Sequence, residues 1–258
     1  MSIIDCHAHL GDPVFDGDRA EVLARAREVG VTGVVTVGET LEDAERNLRL
    51  AGEHTEILPA AGLYPTHLDE QQAGLLERLI RENRERLVAI GEVGLDHWKV
   101  KDEGDREVQR QIFTRFVRLS LELDLPLNIH SRSAGRHAIA VLLELGARRV
   151  QLHAFDGKPS SALPAVEAGY LFSIPPSIVR SRQKQKLVQR LPLSCLLLET
   201  DSPVLGAVPG GRNEPAEVRV SLKAIAELQG RSEEEVAEAV SQNAHRLFGD
   251  LPVWPRTA

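Results

Sequence analysis

Cysteine is scarce in this chain of 258 residues. Cys6 and Cys195 are the only two, and each is flanked by apolar, strand-like residues. That leaves no disulfide framework and points to a reducing, intracellular compartment, cytoplasmic or nuclear. No apolar run approaches the roughly 18 residues that a membrane helix needs, so a membrane protein is not expected. The first residues, Met1-Ser2-Ile3-Ile4-Asp5, carry neither a basic n-region nor a small-residue cleavage site, so secretion is not expected either. Positive charge is in deficit: 31 Lys and Arg stand against 38 Asp and Glu, a net charge of −7. A protein that coats nucleic acid over its whole surface is usually basic, so only a local basic patch remains open. Aromatic residues are few, with six Phe, two Trp and two Tyr against nine His. That balance favours metal ligands over stacking platforms. No Gly/Ser/Pro linker and no shift of composition divides the chain, so residues 1–258 are expected to form one domain, and nothing in it calls for an obligate protein partner.

What is present is alternation. Strand patterns fall at Ser2–Cys6, Gly33–Val37, Ile57–Ala61, Leu87–Ile90, Leu125–Ile129, Arg149–Leu152, Tyr170–Ser173 and Cys195–Leu198. Helix patterns fall between them at Asp18–Val29, Glu42–Glu53, Asp69–Glu85, Glu107–Leu123, Ala134–Leu145, Ser161–Ala168 and Val179–Arg190, and Ala216–Leu228 and Glu233–Leu247 close the chain. In Glu107–Leu123 the residues Val108, Ile112, Phe116 and Leu119 recur at the helical period. Eight strand–helix units of about 32 residues match the ~250-residue size of a TIM-type (β/α)8 barrel. The rival, a doubly wound open sheet, normally brings a Gly-rich loop after the first strand. Here the first strand runs into His7-Ala8-His9 instead.

The polar residues collect at the C-terminal ends of these strands: Asp5, His7 and His9; Glu92; His130, Ser131 and Arg132; His153; Glu199, Thr200 and Asp201. In an eight-fold barrel those ends share one face, and active sites sit there. Residues two apart on a strand point the same way, so His7 and His9 can reach one ion, with Asp5 on the same face as a partner for a histidine N–H. Taken singly, each has a plainer account, such as a hydrogen-bonded structural histidine or a loop carboxylate that caps a helix. Taken together on one face, they make a metal-ligand set. His7, His9 and Asp201 would hold one divalent ion, His130 and His153 a second, and Glu92 would bridge them. Paired ions suit in-line displacement at phosphorus. Histidine and carboxylate ligands fit zinc, manganese or magnesium. Arg180, Arg182, Lys184, Lys186 and Arg190 follow the seventh strand with no acid among them. They make either a phosphate-binding helix or a solvated face. Arg132 and Lys158 lie close after proposed ligands and could neutralise a phosphate. No Gly-x-Ser-x-Gly elbow occurs and Cys6 alternates away from His7, so a serine or cysteine nucleophile is not supported.

These stretches resemble the TatD family of metal-dependent deoxyribonucleases, within the amidohydrolase-like barrels. The resemblance rests on Asp5-Cys6-His7-Ala8-His9, Gly91-Glu92-Val93-Gly94-Leu95-Asp96, His130-Ser131-Arg132, His153-Ala154-Phe155-Asp156-Gly157, Glu199-Thr200-Asp201-Ser202-Pro203 and Asn243-Ala244-His245-Arg246-Leu247-Phe248, which run in the family's order over nearly the whole chain. His130 to Arg136 and Phe172 to Val188 resemble the third animal branch of that family in particular. The resemblance implies the metal ligands His7, His9, Glu92, His130, His153 and Asp201, two divalent ions, and a metal-activated water that cleaves DNA, often from the 3′ end. It gives Glu92 the place that a carboxylated lysine fills in related hydrolytic barrels. Asp201 is expected to be both ligand and general base. One position departs from the family: many members read Gly-x-His-Pro after the third strand, and this chain reads Gly62-Leu63-Tyr64-Pro65. Tyr64 can replace the hydrogen bond of that histidine but not its charge, and His67 is the nearest substitute. The alternative is a hydrolase of the same fold acting on a small ester, amide or phosphate.

Overall fold

The strands form where buried aliphatic residues run unbroken, as parallel strands covered on both faces require. In the computed structural model, which describes residues 2–251, they are β1 (Ile3–Ala8), β2 (Val31–Thr36), β3 (Ile57–Ala61), β4 (Ala89–Gly94), β5 (Leu127–His130), β6 (Val150–His153), β7 (Leu171–Ile174) and β8 (Leu196–Leu198). All neighbouring pairs are parallel and follow chain order from β1 to β8. The gap between β8 and β1 is bridged just beyond the strands: Asp201 N–H donates to the His7 carbonyl at 2.9 Å, and His9 N–H donates to the Ser202 carbonyl at 2.8 Å. The sheet thus nearly closes, as expected for a (β/α)8 barrel. Residue 1 and residues 252–258 of the expected single domain lie outside the described residues.

The helices are α1 (Arg19–Glu28), α2 (Leu41–Glu53), α3 (Glu70–Glu82), α4 (Glu103–Leu123), α5 (Gly135–Glu144), α6 (Pro159–Glu167), α7 (Arg182–Arg190), α8 (Val218–Gln229) and α9 (Glu233–Phe248). Capping side chains set several starts. Asp102 accepts the Asp105 N–H at 3.1 Å, so α4 begins four residues before the point its apolar stripe marks. Ser232 and Glu235 form a reciprocal capping box at the start of α9. The helix expected over Val179–Arg190 is divided. A 3-10 turn covers Pro176–Arg180, and Ser181 then caps a separate α7 by accepting the Lys184 N–H. Leu76, Ile112, Phe113, Phe116 and Val117 are buried in the packing of α3 and α4 against the barrel.

Most strand ends differ from expectation. β1, β4, β5, β6 and β7 reach one to four residues further, so that His7, Glu92, His130 and His153 lie inside strands, whereas β2 ends one residue earlier, at Thr36. Two glycines bring β4 onto β5 at that height. A Cβ on Gly91 would sit 2.6 Å from the Asn128 Cβ. A Cβ on Gly94, whose φ is +148°, would collide with the His130 carbonyl. The close approach sets Glu92 beside His130. Cys6 and Cys195 are buried free thiols. No helix among the described residues is long and apolar enough to cross a membrane.

Candidate metal centre

Two clusters meet inside the barrel mouth, and Glu92 stands between them. His7 at the end of β1, His9 just after it and Asp201 after β8 form the first. Their facing atoms are His7 Nε2 and His9 Nε2, 3.3 Å apart, with Asp201 Oδ1 3.4 Å from each. Glu92 Oε2 lies 3.7 and 3.6 Å from the same nitrogens. These spacings are long for hydrogen bonds. They match the roughly 3.3 Å edges of a tetrahedron whose bonds to a central ion are about 2.0–2.1 Å. The second cluster is His130 Nδ1 and His153 Nε2, 3.2 Å apart, with Glu92 Oε1 at 2.6 and 2.8 Å. Each group brings three ligand atoms within 4.8 Å of one another, and two further groupings overlap them, His9 with Glu39 and Glu92, and His7 with His153 and Glu199. The donor set therefore fits divalent metal.

Supporting side chains choose which ring nitrogen faces inward. Asn128 Oδ1 lies 2.8 Å from His7 Nδ1, while the Asn128 amide donates to the Cys6 carbonyl at 3.0 Å. With its oxygen so oriented, Asn128 accepts the His7 Nδ1–H and leaves the Nε2 lone pair facing the cluster. Asp96 Oδ2 sits 3.1 Å from His130 Nε2, and its other oxygen accepts the Trp98 and Lys99 N–H groups at 2.8 and 2.7 Å. Asp96 thereby turns His130 Nδ1 towards Glu92. Glu39, on the loop after β2, approaches His9 Nδ1 at 3.7 Å. Asp5 corrects an expectation. It accepts the Thr200 hydroxyl and N–H at 2.5 and 2.9 Å and the backbone N–H of His7 at 3.3 Å, and so ties β8 to β1 rather than accepting a histidine ring N–H. Asn128→Leu is expected to weaken binding of a divalent ion at the His7 cluster by about 10–100-fold. Competition with a chelator of known affinity measures this, and unchanged affinity would show that the bond to Asn128 is incidental.

Charge supports the same arrangement. Burial alone would raise the Glu92 carboxyl, but His153 and His130 hold it well below the usual carboxylate range. Asp201 is likewise held low by His7 and His9 against its burial. Burial pulls His7 down, yet Asp201, Glu92 and Glu199 push it up to about 10. His130 is pushed up to about 9 by Glu92 and Asp96 in the same way. His153 is lowered to about 4 by burial and by His7, whose ring stacks on it at 3.9 Å. Protons on His7 and His130 thus compensate the carboxylates where no cation does. An entering ion must displace them. At pH 8 metal loading is expected to release at least two protons per chain, and apparent affinity is expected to rise with pH up to those values. Calorimetry in two buffers of different ionisation enthalpy counts the protons, and a count of zero would contradict the assignment.

Above the clusters opens a cavity of about 480 Å³, lined by His9, Glu39, Tyr64, Glu92, His130, Ser131, Arg132, His153, Ala154, Asp156, Lys184, Asp201, Val204 and Leu205. Of the expected substrate contacts, Tyr64 and Arg132 line it. The Tyr64 ring meets His130 edge-on at 5.0 Å, and the Arg132 guanidinium lies 3.8 Å over the half-exposed Trp98 ring. His67 packs behind Tyr64 at 6.4 Å and is not on the cavity wall. Lys158, Arg180 and Arg182 are exposed and lie off the wall. Arg180 spends its Nε–H on the Gly206 carbonyl at 3.2 Å. Sequence reasoning missed Asn128, the role of Asp96, Glu39 and Trp98. Asn128 carried a signal, a lone amide inside an apolar strand two residues before His130. Glu39 carried none, because only the turn after β2 brings it to His9.

Residues 4–249 match the family model described as TatD related DNase. The deoxyribonuclease TATDN3 of Homo sapiens is 45% identical over 263 residues, covering 97% of this chain and 96% of that protein. The uncharacterized metal-dependent hydrolase YabD of Bacillus subtilis is 33% identical over 256 residues, covering 95% and 98%. The crystal structure of YjjV, a TatD homologue from Escherichia coli, superposes with a TM-score of 0.88 at 29% identity, covering 96% of this chain and 98% of that one.

Proposed function

The chain belongs to the TatD-related DNase family of metal-dependent hydrolases, and from that premise we propose that it hydrolyses DNA phosphodiesters at a two-ion centre, releasing nucleotides from 3′ ends. The observation that carries this is the Glu92 carboxylate, one oxygen turned to each histidine cluster. A carboxylate so placed can bridge two ions, and ions ~3.5–4 Å apart suit both the attacking and the leaving oxygen of an in-line displacement.

His7, His9 and Asp201 would hold one ion, His130 and His153 the other, with Glu92 shared. Zinc, manganese and magnesium all suit these donors. The ions would supply Lewis-acid activation of water and of the phosphoryl oxygens. The chain does the rest. Asn128 and Asp96 fix the ring orientations of His7 and His130, so the ligand atoms need no rearrangement when substrate binds. Asp201, held in its ionised form by His7 and His9, would accept the proton of the attacking water in the first cluster. Arg132, braced on Trp98, neutralises phosphate at the rim. Tyr64 can hydrogen-bond a phosphate oxygen without adding positive charge.

The test is turnover by the metal-loaded protein on single-stranded and duplex oligonucleotides labelled at either end, beside a panel of small esters, amides and phosphate monoesters. Stepwise loss of nucleotides from 3′ ends is expected. Efficient turnover confined to the small molecules would overturn the DNA reading and leave the alternative of a small-substrate hydrolase.

A further inference from the structure

The basic run after β7 reads as one patch in sequence, yet the fold divides it. Arg182, Lys186 and Arg190 of α7 are exposed, and Lys186 and Arg190 line an outer groove with Pro159, Ser160 and Leu163. Lys184 turns the other way. It shares the buried face of α7 with Leu187 and Val188, is only 9% exposed, and lines the metal cavity beside Asp156 and Asp201. The Ser181 cap, which accepts the Lys184 N–H at 3.3 Å, sets the first turn of α7 so that this residue faces inward.

No carboxylate among the described residues comes within 4.0 Å of the Lys184 ammonium. Glu199, Asp156 and Asp201 act on it only from farther away, and burial pulls its pKa below the ordinary lysine value. A buried ammonium without a partner is costly. The stem of a lysine can cover apolar surface while its head reaches water, but here the water it reaches is that of the cavity. Arg132 and Lys184 are the two lysine or arginine residues lining that cavity. Arg132 is exposed at the rim, whereas Lys184 is buried beside the Asp201 cluster.

We propose that Lys184 is a specificity-determining residue of this site, whose ammonium binds an oxygen of the substrate phosphate nearest the metal clusters. It thereby favours phosphate esters over neutral esters and amides. This rests on the reading of the cavity as a phosphodiesterase site and names the group that recognises the inner phosphate. Lys186, two residues on and facing outward, is the internal control.

The experiment uses the metal-loaded full chain, with metal content measured for every variant. Inorganic phosphate is titrated by calorimetry, and KM and kcat are measured on a short 3′-ended oligonucleotide. Lys184→Met is expected to weaken phosphate binding at least tenfold and raise KM by a similar factor, with metal content unchanged. Lys184→Arg is expected to restore most of the phosphate affinity, and Lys186→Met to match the parent. Lys184→Gln repeats the test with a polar side chain, so that a folding defect of the methionine variant does not decide the result. Parental phosphate affinity in a folded, metal-loaded Lys184→Met or Lys184→Gln protein would overturn the proposal. A parent that binds phosphate through Lys184 yet cleaves no DNA would refute the nuclease reading alone.

Discussion

Glu92→Gln is expected to leave a folded barrel that retains neither ion after dialysis and has lost nearly all activity. The reason is the position of the carboxylate. Its two oxygens face two different histidine pairs, and the whole side chain is buried. An amide presents one oxygen and one N–H2 group, and the N–H2 can only repel a cation or a ring N–H. The substitution also removes the negative charge against which His7 and His130 hold their protons, so both clusters lose the charge that attracts divalent ions. The loss is expected to exceed the roughly 10–100-fold that follows when a residue supporting a ligand is removed. Metal per chain by mass spectrometry, with circular dichroism as a check on folding, gives the answer. Two ions retained in the variant would sink the bridging role.

Asp201→Asn separates the two roles proposed for one side chain. As a ligand, Asp201 shares the first cluster with His7 and His9 at 3.4 Å from each. Asparagine still offers an oxygen there, so saturating metal would restore a protein that lost only a ligand. As a proton acceptor, Asp201 has no such substitute, because an amide does not take a proton from water near pH 7. Removing a general base typically costs about 10²–10⁴-fold. We expect kcat to fall by that order under saturating metal, with the ion at Glu92, His130 and His153 retained, and the acidic limb of the kcat–pH profile to move or vanish. Recovery to within about tenfold of the parent would make Asp201 a ligand only.

The residues that cluster at the barrel mouth were legible because their pattern is local. His7-x-His9 needs only the two-residue repeat of a strand, and single polar residues at the ends of apolar runs mark the barrel face. The same habit misplaced the strand ends. Reading a polar residue as the end of a strand stops β4 at Ile90 and leaves Glu92 in a loop. In the fold, β4 continues to Gly94, because the surrounding histidines and the two glycines allow a charged residue to lie buried within the sheet. Residues whose role depends on side-chain direction were less legible. Lys158 follows His153 by five residues yet is exposed and off the cavity wall, whereas Lys184, drawn as one cation in a helix patch, faces the cavity. Asp5 was placed on the correct face but given the wrong partner, since its neighbour Thr200 comes from the far end of the chain. Contacts between residues this distant in sequence follow from closure of the sheet, and no spacing within one segment reports them.

The central claim is a pair of ions bridged by Glu92, and diffraction at metal absorption edges from crystals grown with zinc or manganese tests it most directly. The account predicts two anomalous peaks ~3.5–4 Å apart, one within bonding distance of His7, His9 and Asp201, the other of His130 and His153, with a Glu92 oxygen on each. A single peak, or two peaks that do not share Glu92, would contradict it.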